Sequence, residues 1–264
     1  MPLKALLLFL TILNFTICIS QTERGLIRYG EIQSLSLGAP IGVDYNAILM
    51  FDNNSSLYIT RKDSLEKTKI DGQKSVITAQ GGSIFTAVTN EKGFQYNNLI
   101  KKDSFYSRDL GFNYVKEKTP KISWKIEKET KTIGQLTCQK ATATFRGRDY
   151  TAWFAPEIPL PYGPWKLQGL PGVILEAYDT NKEIFWYFKS FEYPVTTMLP
   201  SFKPVTPPKG KDWISIETFK EIQIKNFKNA QIAGKMVAEK MNIETYSNDT
   251  MKNSYIEVFD VEDK

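Results

Sequence analysis

The stretch DYTAWFAPEIPLPYGPWKLQGLPGVILEAYD, residues 149–179, decides the fold. Both of its ends are rich in apolar and aromatic residues and predict β-strands, at 150–154 and 172–178. Four prolines lie within nine residues between them. They lower the conformational entropy of the unfolded loop and so favour one fixed shape. The segment therefore predicts two strands joined by a rigid, irregular loop.

A tight turn, Gly169-Leu170-Pro171-Gly172, closes this loop. Proline fixes its own φ, and glycine permits a positive φ or a close backbone approach. One interpretation is a buried turn that enters a core strand. The other is a preformed loop at the rim of a curved sheet, binding an apolar ligand or a partner, with charge offered to an anionic group. The candidate site residues are then Arg146, Arg148, Trp153, Tyr162, Trp165, Lys166, Gly169, Leu170, Pro171 and Gly172.

Outward from this segment, short β-prone runs alternate with turn signals about every ten residues. Hairpins are predicted at 47–60, 84–96, 105–115, 137–154 and 172–191. No long helical pattern occurs before residue 210. We therefore predict a mainly β protein, an antiparallel meander that forms a curved sheet, half-barrel or barrel.

The C-terminal third has a different character. Five prolines fall in residues 194–211, which predicts an extended linker along the surface. Ser215 can cap an amphipathic helix over 215–241. The helix either packs on the sheet with its lysines in solvent or lies on a membrane surface. A final strand is predicted at 254–259.

Residues 1–20 have the pattern of a secretory signal peptide. A single lysine precedes fifteen nearly continuous apolar residues, and small residues follow before Gln21. The expected mature chain, 21–264, is a single β-rich domain in the periplasm, on the outer-membrane surface or secreted. No later segment is apolar enough to span a bilayer.

Composition argues against several function classes. The chain has no histidine, the usual general base and transition-metal ligand, and its formal net charge of +5 is spread along the sequence. Cys138 therefore has no histidine to activate it. The carboxylates nearest the loop, Glu157, Glu176 and Asp179, are not brought together by any sequence pattern. We expect no enzyme activity, no metal, no cofactor and no nucleic-acid partner.

The turn and its surroundings resemble the GLPGLI family of secreted Bacteroidota proteins. The signature residues are 169–174, and Val173 replaces the family's leucine. Supporting similarity covers residues 134–179, including Arg146-Gly147-Arg148 and the segment 153–166. The resemblance implies a signal peptide, an extracytoplasmic location and a β-rich fold. It supplies no catalytic residues to carry over.

The expected function is that of a non-catalytic envelope protein which binds a partner protein through the Pro/aromatic loop 156–172. The alternative is a carrier that holds an apolar or lipid-like ligand in a curved-sheet cavity. Ser64 and Thr250 lie in Asp-Ser/Thr-apolar tripeptides that resemble Bacteroidota O-glycosylation sites.

Overall fold

The computed structural model describes residues 24–35, 38, 40–66, 73–77, 84–109, 113–195, 204, 206–242 and 250–259. The predicted signal peptide, residues 1–20, lies outside these ranges, as does part of the predicted linker 194–211.

The described chain is built mainly of β-strands. Their bounds are β1 Gly25–Gln33, β2 Val43–Phe51, β3 Ser55–Thr60, β4 Gln73–Ile77, β5 Ile84–Val88, β6 Phe94–Leu99, β7 Ser104–Asp109, β8 Asn113–Glu117, β9 Lys125–Ile133, β10 Leu136–Phe145, β11 Arg148–Ala155, β12 Val173–Asp179, β13 Ile184–Glu192 and β14 Ile214–Ser215. A 3₁₀ turn spans Ile100–Lys102, helix α1 spans Ile216–Met241, and helix α2 spans Met251–Ser254.

Twelve of these strands form one open sheet in the order β14-β8-β7-β6-β3-β2-β1-β13-β12-β11-β10-β9. Neighbouring strands are antiparallel except β14, which runs parallel to β8. Two meanders meet at β1, which pairs with β2 on one side and with β13 on the other. The mainly β meander with a C-terminal helix is thus confirmed, and the sheet ends in two edges without closing on itself.

Two strand predictions are wrong. Strand β5 was expected to pair with the run that forms β6, but it pairs with β4 in a separate two-stranded sheet. Strand β6 lies instead between β3 and β7, where Tyr58 faces Tyr96 across the ladder and both side chains are buried. The expected final strand is also missing among the described residues, since α2 replaces its start. In place of strand pairing, the backbone N–H of Val258 donates to the carbonyl oxygen of Arg146 at 3.0 Å.

The largest core cluster lies where the loop after β11 folds back onto the sheet. The rings of Trp165 and Trp186 stack at 5.9 Å between centroids with an interplanar angle of 12°. Tyr150 packs against both rings. Such aromatic contacts bury large apolar areas and dominate core energetics. The loop is therefore an internal layer of the fold.

Helix α1 begins where the sequence predicts it. Ser215 is the N-cap, and its Oγ accepts from the backbone N–H of Thr218 at 3.2 Å. The first half of the helix buries Phe219 and Phe227, which cluster with Val115 of β8. The second half has mostly exposed residues. Among the described residues, no helix has the length and apolar character needed to cross a membrane.

Candidate functional site

The loop 156–172 is held in place by backbone hydrogen bonds within itself and to strand β12. The backbone N–H of Gly169 donates to the carbonyl oxygen of Pro161 at 3.0 Å, and that of Ile174 donates to the carbonyl oxygen of Tyr162 at 2.8 Å. Tyr162 is 1% exposed, Trp165 3% and Trp153 5%. The aromatic side chains predicted to bind a partner are therefore core residues and form no exposed patch.

Glycine is favoured at two positions of the turn for two different structural reasons. Gly169 has a φ of +90°, in the left-handed region that favours glycine. A Cβ on Gly172 would lie 2.3 Å from the carbonyl oxygen of Ala155 and 2.9 Å from Cα of Pro156. Leu170 is buried, whereas Pro171 is exposed at the surface of the turn. The turn at Gly172 is thus in direct contact with the backbone of Ala155 and Pro156 at the end of β11.

Arg148 is a fully buried anchor for the C-terminal segment. Its Nη1 lies 2.8 Å from Oδ2 of Asp179 and 3.4 Å from Oε2 of Glu183. The remaining guanidinium N–H groups donate to backbone carbonyls of Lys252, Tyr255 and Ile256. One cation therefore fixes residues 252–256 against β11 and β12. It is not free to offer charge to a ligand.

Lys166 and Arg146 form a second charged cluster with two buried carboxylates. Nζ of Lys166 lies 2.5 Å from Oε1 of Glu257 and 2.8 Å from Oε1 of Glu117. Arg146 also pairs with both carboxylates. Burial acts to lower the pKa of Lys166, but Glu257 and Glu117 raise it above its usual value. Lys166 is completely buried, whereas Arg146 reaches the surface.

Arg146 and Glu117 open onto an exposed groove of about 860 Å³, which we name the basic groove. Its lining residues are Lys102, Asp103, Ser104, Lys116, Glu117, Lys118, Thr119, Pro120, Lys121, Arg146, Ile216 and Glu217. Five of these are cationic and three are acidic. The first residues of α1 also line it, where Ser215 already caps the N–H of Thr218 and Glu217 adds a negative charge, so the lysines supply the positive character. The groove is suited to an acidic ligand.

A cavity beside Trp165 is much smaller, with a volume of about 40 Å³. Glu31 lines it and accepts from the Tyr58 hydroxyl at 2.6 Å and from Trp186 Nε1 at 3.1 Å. Residues 254–256 form part of its wall. Since one water needs about 10–15 Å³ by this measure, the cavity has room for a few water molecules. It is too small for a lipid-like ligand.

The carboxylates considered for catalysis are held by separate partners. Glu157 accepts from the backbone N–H of Thr137, and Glu176 pairs with Lys131 at 2.7 Å. Asp179 belongs to the Arg148 cluster. No group of three or more potential metal ligands occurs within the described ranges. Ser64 and Thr250 are both exposed, and their modification stays a prediction.

Cys138 is buried and is expected to resist alkylation in the folded protein. Burial raises the pKa of its thiol to about 11, so little thiolate forms at mildly alkaline pH. In protein lacking residues 1–20, iodoacetamide labelling should be roughly 100-fold slower in the native state than in denaturant. Mass spectrometry over a time course measures this. Rapid, complete labelling of the folded protein would contradict the buried position.

The fold and groove define an open-sheet β protein with a basic surface groove. Over residues 146–176, the chain matches the model of a family described as "Protein of unknown function (Porph_ging)". This match includes Arg146, Arg148, Lys166 and the turn. It is compatible with the GLPGLI resemblance and does not by itself establish it. No curated protein matches the chain.

Two solved structures of PNGF-II are similar to this chain, one in space group P21 and one in C2. Their TM-scores are 0.46 and 0.45, with 13% and 14% sequence identity. Each match covers 75% of this chain and 32% of the solved chain, so this chain spans about a third of their length.

Sequence reasoning missed the basic groove. Of the ten predicted site residues, Arg146 alone lines it, and Lys166 contacts it indirectly through Glu117. The one local signal was the lysine-rich run KEKTPK, residues 116–121, at the end of a predicted strand. The other contributors come from residues 102–104 and 216–217, whose proximity depends on the folded sheet.

Proposed function

We propose that the protein is a non-catalytic, extracytoplasmic envelope protein that binds an acidic segment of a partner protein in the basic groove. The observation that carries this proposal is the convergence of four exposed lysines, Lys102, Lys116, Lys118 and Lys121, on one groove. In this proposal loop 156–172 supports the binding groove and is not itself the binding surface. Lys166 from that loop supports Glu117 beneath the groove.

The cations of the groove differ in their availability. Arg146 is already paired with Glu117 and Glu257, so its charge is largely neutralised. Lys102, Lys116, Lys118 and Lys121 are exposed, and no ion pair involves them within the described part of the chain. They supply the attraction for an acidic partner. Exposed charges of this kind accelerate association and are weakened by salt.

The chain beside the groove leaves the regular sheet. Strand β14 pairs with β8 only at Val115 and Lys116, so regular pairing at this edge ends where the groove begins. Residues 118–121 continue without regular secondary structure. Their backbone is already engaged, since the N–H of Thr119 donates to the carbonyl of Asp103 and the carbonyl of Pro120 accepts from the Gln168 side chain. A partner segment lying along them is therefore bound through the lysine side chains. The small cavity beside Trp165 gives no comparable support to a carrier function.

A fluorescent oligoglutamate peptide tests the proposal. The double change Lys116→Glu and Lys121→Glu should weaken binding by about tenfold or more, because two attractive charges become repulsive. Fluorescence anisotropy at low and high salt measures the affinity. The matched control is Lys125→Glu with Lys128→Glu on edge strand β9, which changes net charge equally.

The control should retain wild-type affinity. If both double variants lose affinity equally, the interaction depends on overall charge alone, which would contradict a groove site. An anionic polysaccharide that outcompetes the peptide at equal charge would contradict a protein partner.

A further inference from the structure

The second half of α1, residues 228–240, extends beyond the part of the helix that packs on the sheet; we name it the distal segment. Phe227 is the last large buried side chain of the helix among the residues with described burial. Beyond it, Ala238 is buried and the remaining positions are exposed or half-buried. The distal segment therefore has a face for which the described fold offers no packing partner.

Exposed apolar side chains concentrate in this segment. Ile232 is 60% exposed, Met236 54% and Val237 55%. Three other large apolar residues with comparable exposure in the described chain, Ile41, Ile100 and Ile126, lie far apart in sequence. Single exposed apolar residues are ordinary, whereas neighbouring ones mark a candidate interaction surface. Ile232 and Met236, about one turn apart, are such neighbours, while Val237 lies about 140° away around the helix.

Lysines flank two of these apolar side chains. At about 100° per residue, Met236 lies within about 40° of Ile232 around the helix axis. The positions within about 80° of Ile232 on either side also include Lys235 and Lys240 of the distal segment and Lys225 just before it. From residue 221 onward, two acidic residues, Glu221 and Glu239, also fall in this arc, so cations outnumber anions there. The buried side chains of Phe219, Gln223 and Phe227 lie on the opposite side. The outward face thus combines positive charge with an apolar centre.

We propose that the distal segment docks on an anionic phospholipid surface, with Ile232 and Met236 inserted between headgroups and the lysines contacting phosphates. Positive charge beside an apolar stripe is the pattern of helices that lie in the membrane interface. Charge complementarity favours a lipid surface over a second copy of the chain, whose own distal segment would present the same lysines. The binding is weak and reversible, because neither two apolar side chains nor three lysines suffice alone.

Vesicle flotation tests this proposal with the full mature chain. Vesicles of phosphatidylglycerol and phosphatidylcholine should retain the protein at low salt, and pure phosphatidylcholine should not. Ile232→Ser with Met236→Ser should weaken retention by about tenfold, and so should Lys235→Gln with Lys240→Gln. The matched control is Ile126→Ser with Lys128→Gln, at an exposed isoleucine on the opposite edge of the sheet.

The control should bind as wild type does. Absence of binding, or equal retention by neutral vesicles, would overturn the proposal. Self-association in sedimentation experiments that the Ile232 and Met236 changes abolish would assign the face to a second copy instead. Because the distal segment and the basic groove use different residues, these variants should leave oligoglutamate binding unchanged.

Discussion

Replacing Arg148 with methionine is expected to lower the free energy of unfolding by about 3–5 kcal/mol. The guanidinium is fully buried and neutralises Asp179 and Glu183. Methionine leaves both carboxylates without a cation and several backbone carbonyls without a donor. The cost of such unpaired buried groups far exceeds that of losing a surface ion pair. Residues 250–259 should then detach from the sheet before the rest unfolds.

Denaturant titration and hydrogen exchange measure the two parts of this result. Exchange protection at 252–259 should fall further than protection at β2 and β3. The control is Arg28→Met, which breaks an exposed pair with Glu192 and should cost no more than about 1 kcal/mol. Equal destabilisation by the two changes would contradict the anchoring role. If Arg148→Met does not fold, Arg148→Lys, which keeps one charge but fewer donors, should fold with intermediate stability.

Changing Gly172 to alanine is expected to destabilise the protein by about 2–3 kcal/mol. The new Cβ would lie 2.3 Å from the carbonyl oxygen of Ala155 and 2.9 Å from Cα of Pro156. Both contacts are to backbone, so the strand end and the loop must separate for the methyl group to fit. The change acts at the centre of the signature, where the chain crosses itself.

Thermal and denaturant unfolding of Gly172→Ala provide the measurement, with Gly234→Ala as its control. Gly234 lies in α1, and a Cβ at this position would have open space within 4 Å, so alanine there should stabilise the helix by about 0.5–1 kcal/mol. Opposite signs for the two glycine changes are expected. A neutral Gly172→Ala would show that the turn can relax and that close approach is not why glycine is needed.

Local signals in the sequence were sufficient for the hairpins. The β10–β11 pair was predictable because β-prone runs flank Arg146-Gly147, where the turn forms at positive φ. Ser215 and the apolar spacing after it likewise predicted α1. These elements depend on residues close in sequence, whose propensities and turn chemistry act without help from the rest of the fold.

Long-range relationships were not predictable in the same way. The pairing of β1 with β13 joins residues more than 150 positions apart, and no local pattern encodes it. The same holds for Lys166, whose burial depends on carboxylates supplied by β8 and the C-terminal segment. From sequence alone, a lysine in a loop is expected to be an exposed charge, because its buried carboxylate partners are distant in sequence. For this reason the loop was predicted to be a binding surface, while the basic groove was missed.

Amide chemical-shift mapping by NMR tests the location of the binding surface most directly. Oligoglutamate peptide added to the labelled mature protein should shift the amides of Lys116, Glu117, Lys118 and residues 216–217. Amides within 162–172 should change little, because that loop is buried and internally bonded. Shifts concentrated in 162–172, with none at 116–118, would contradict a basic groove as the site and return the binding role to the loop.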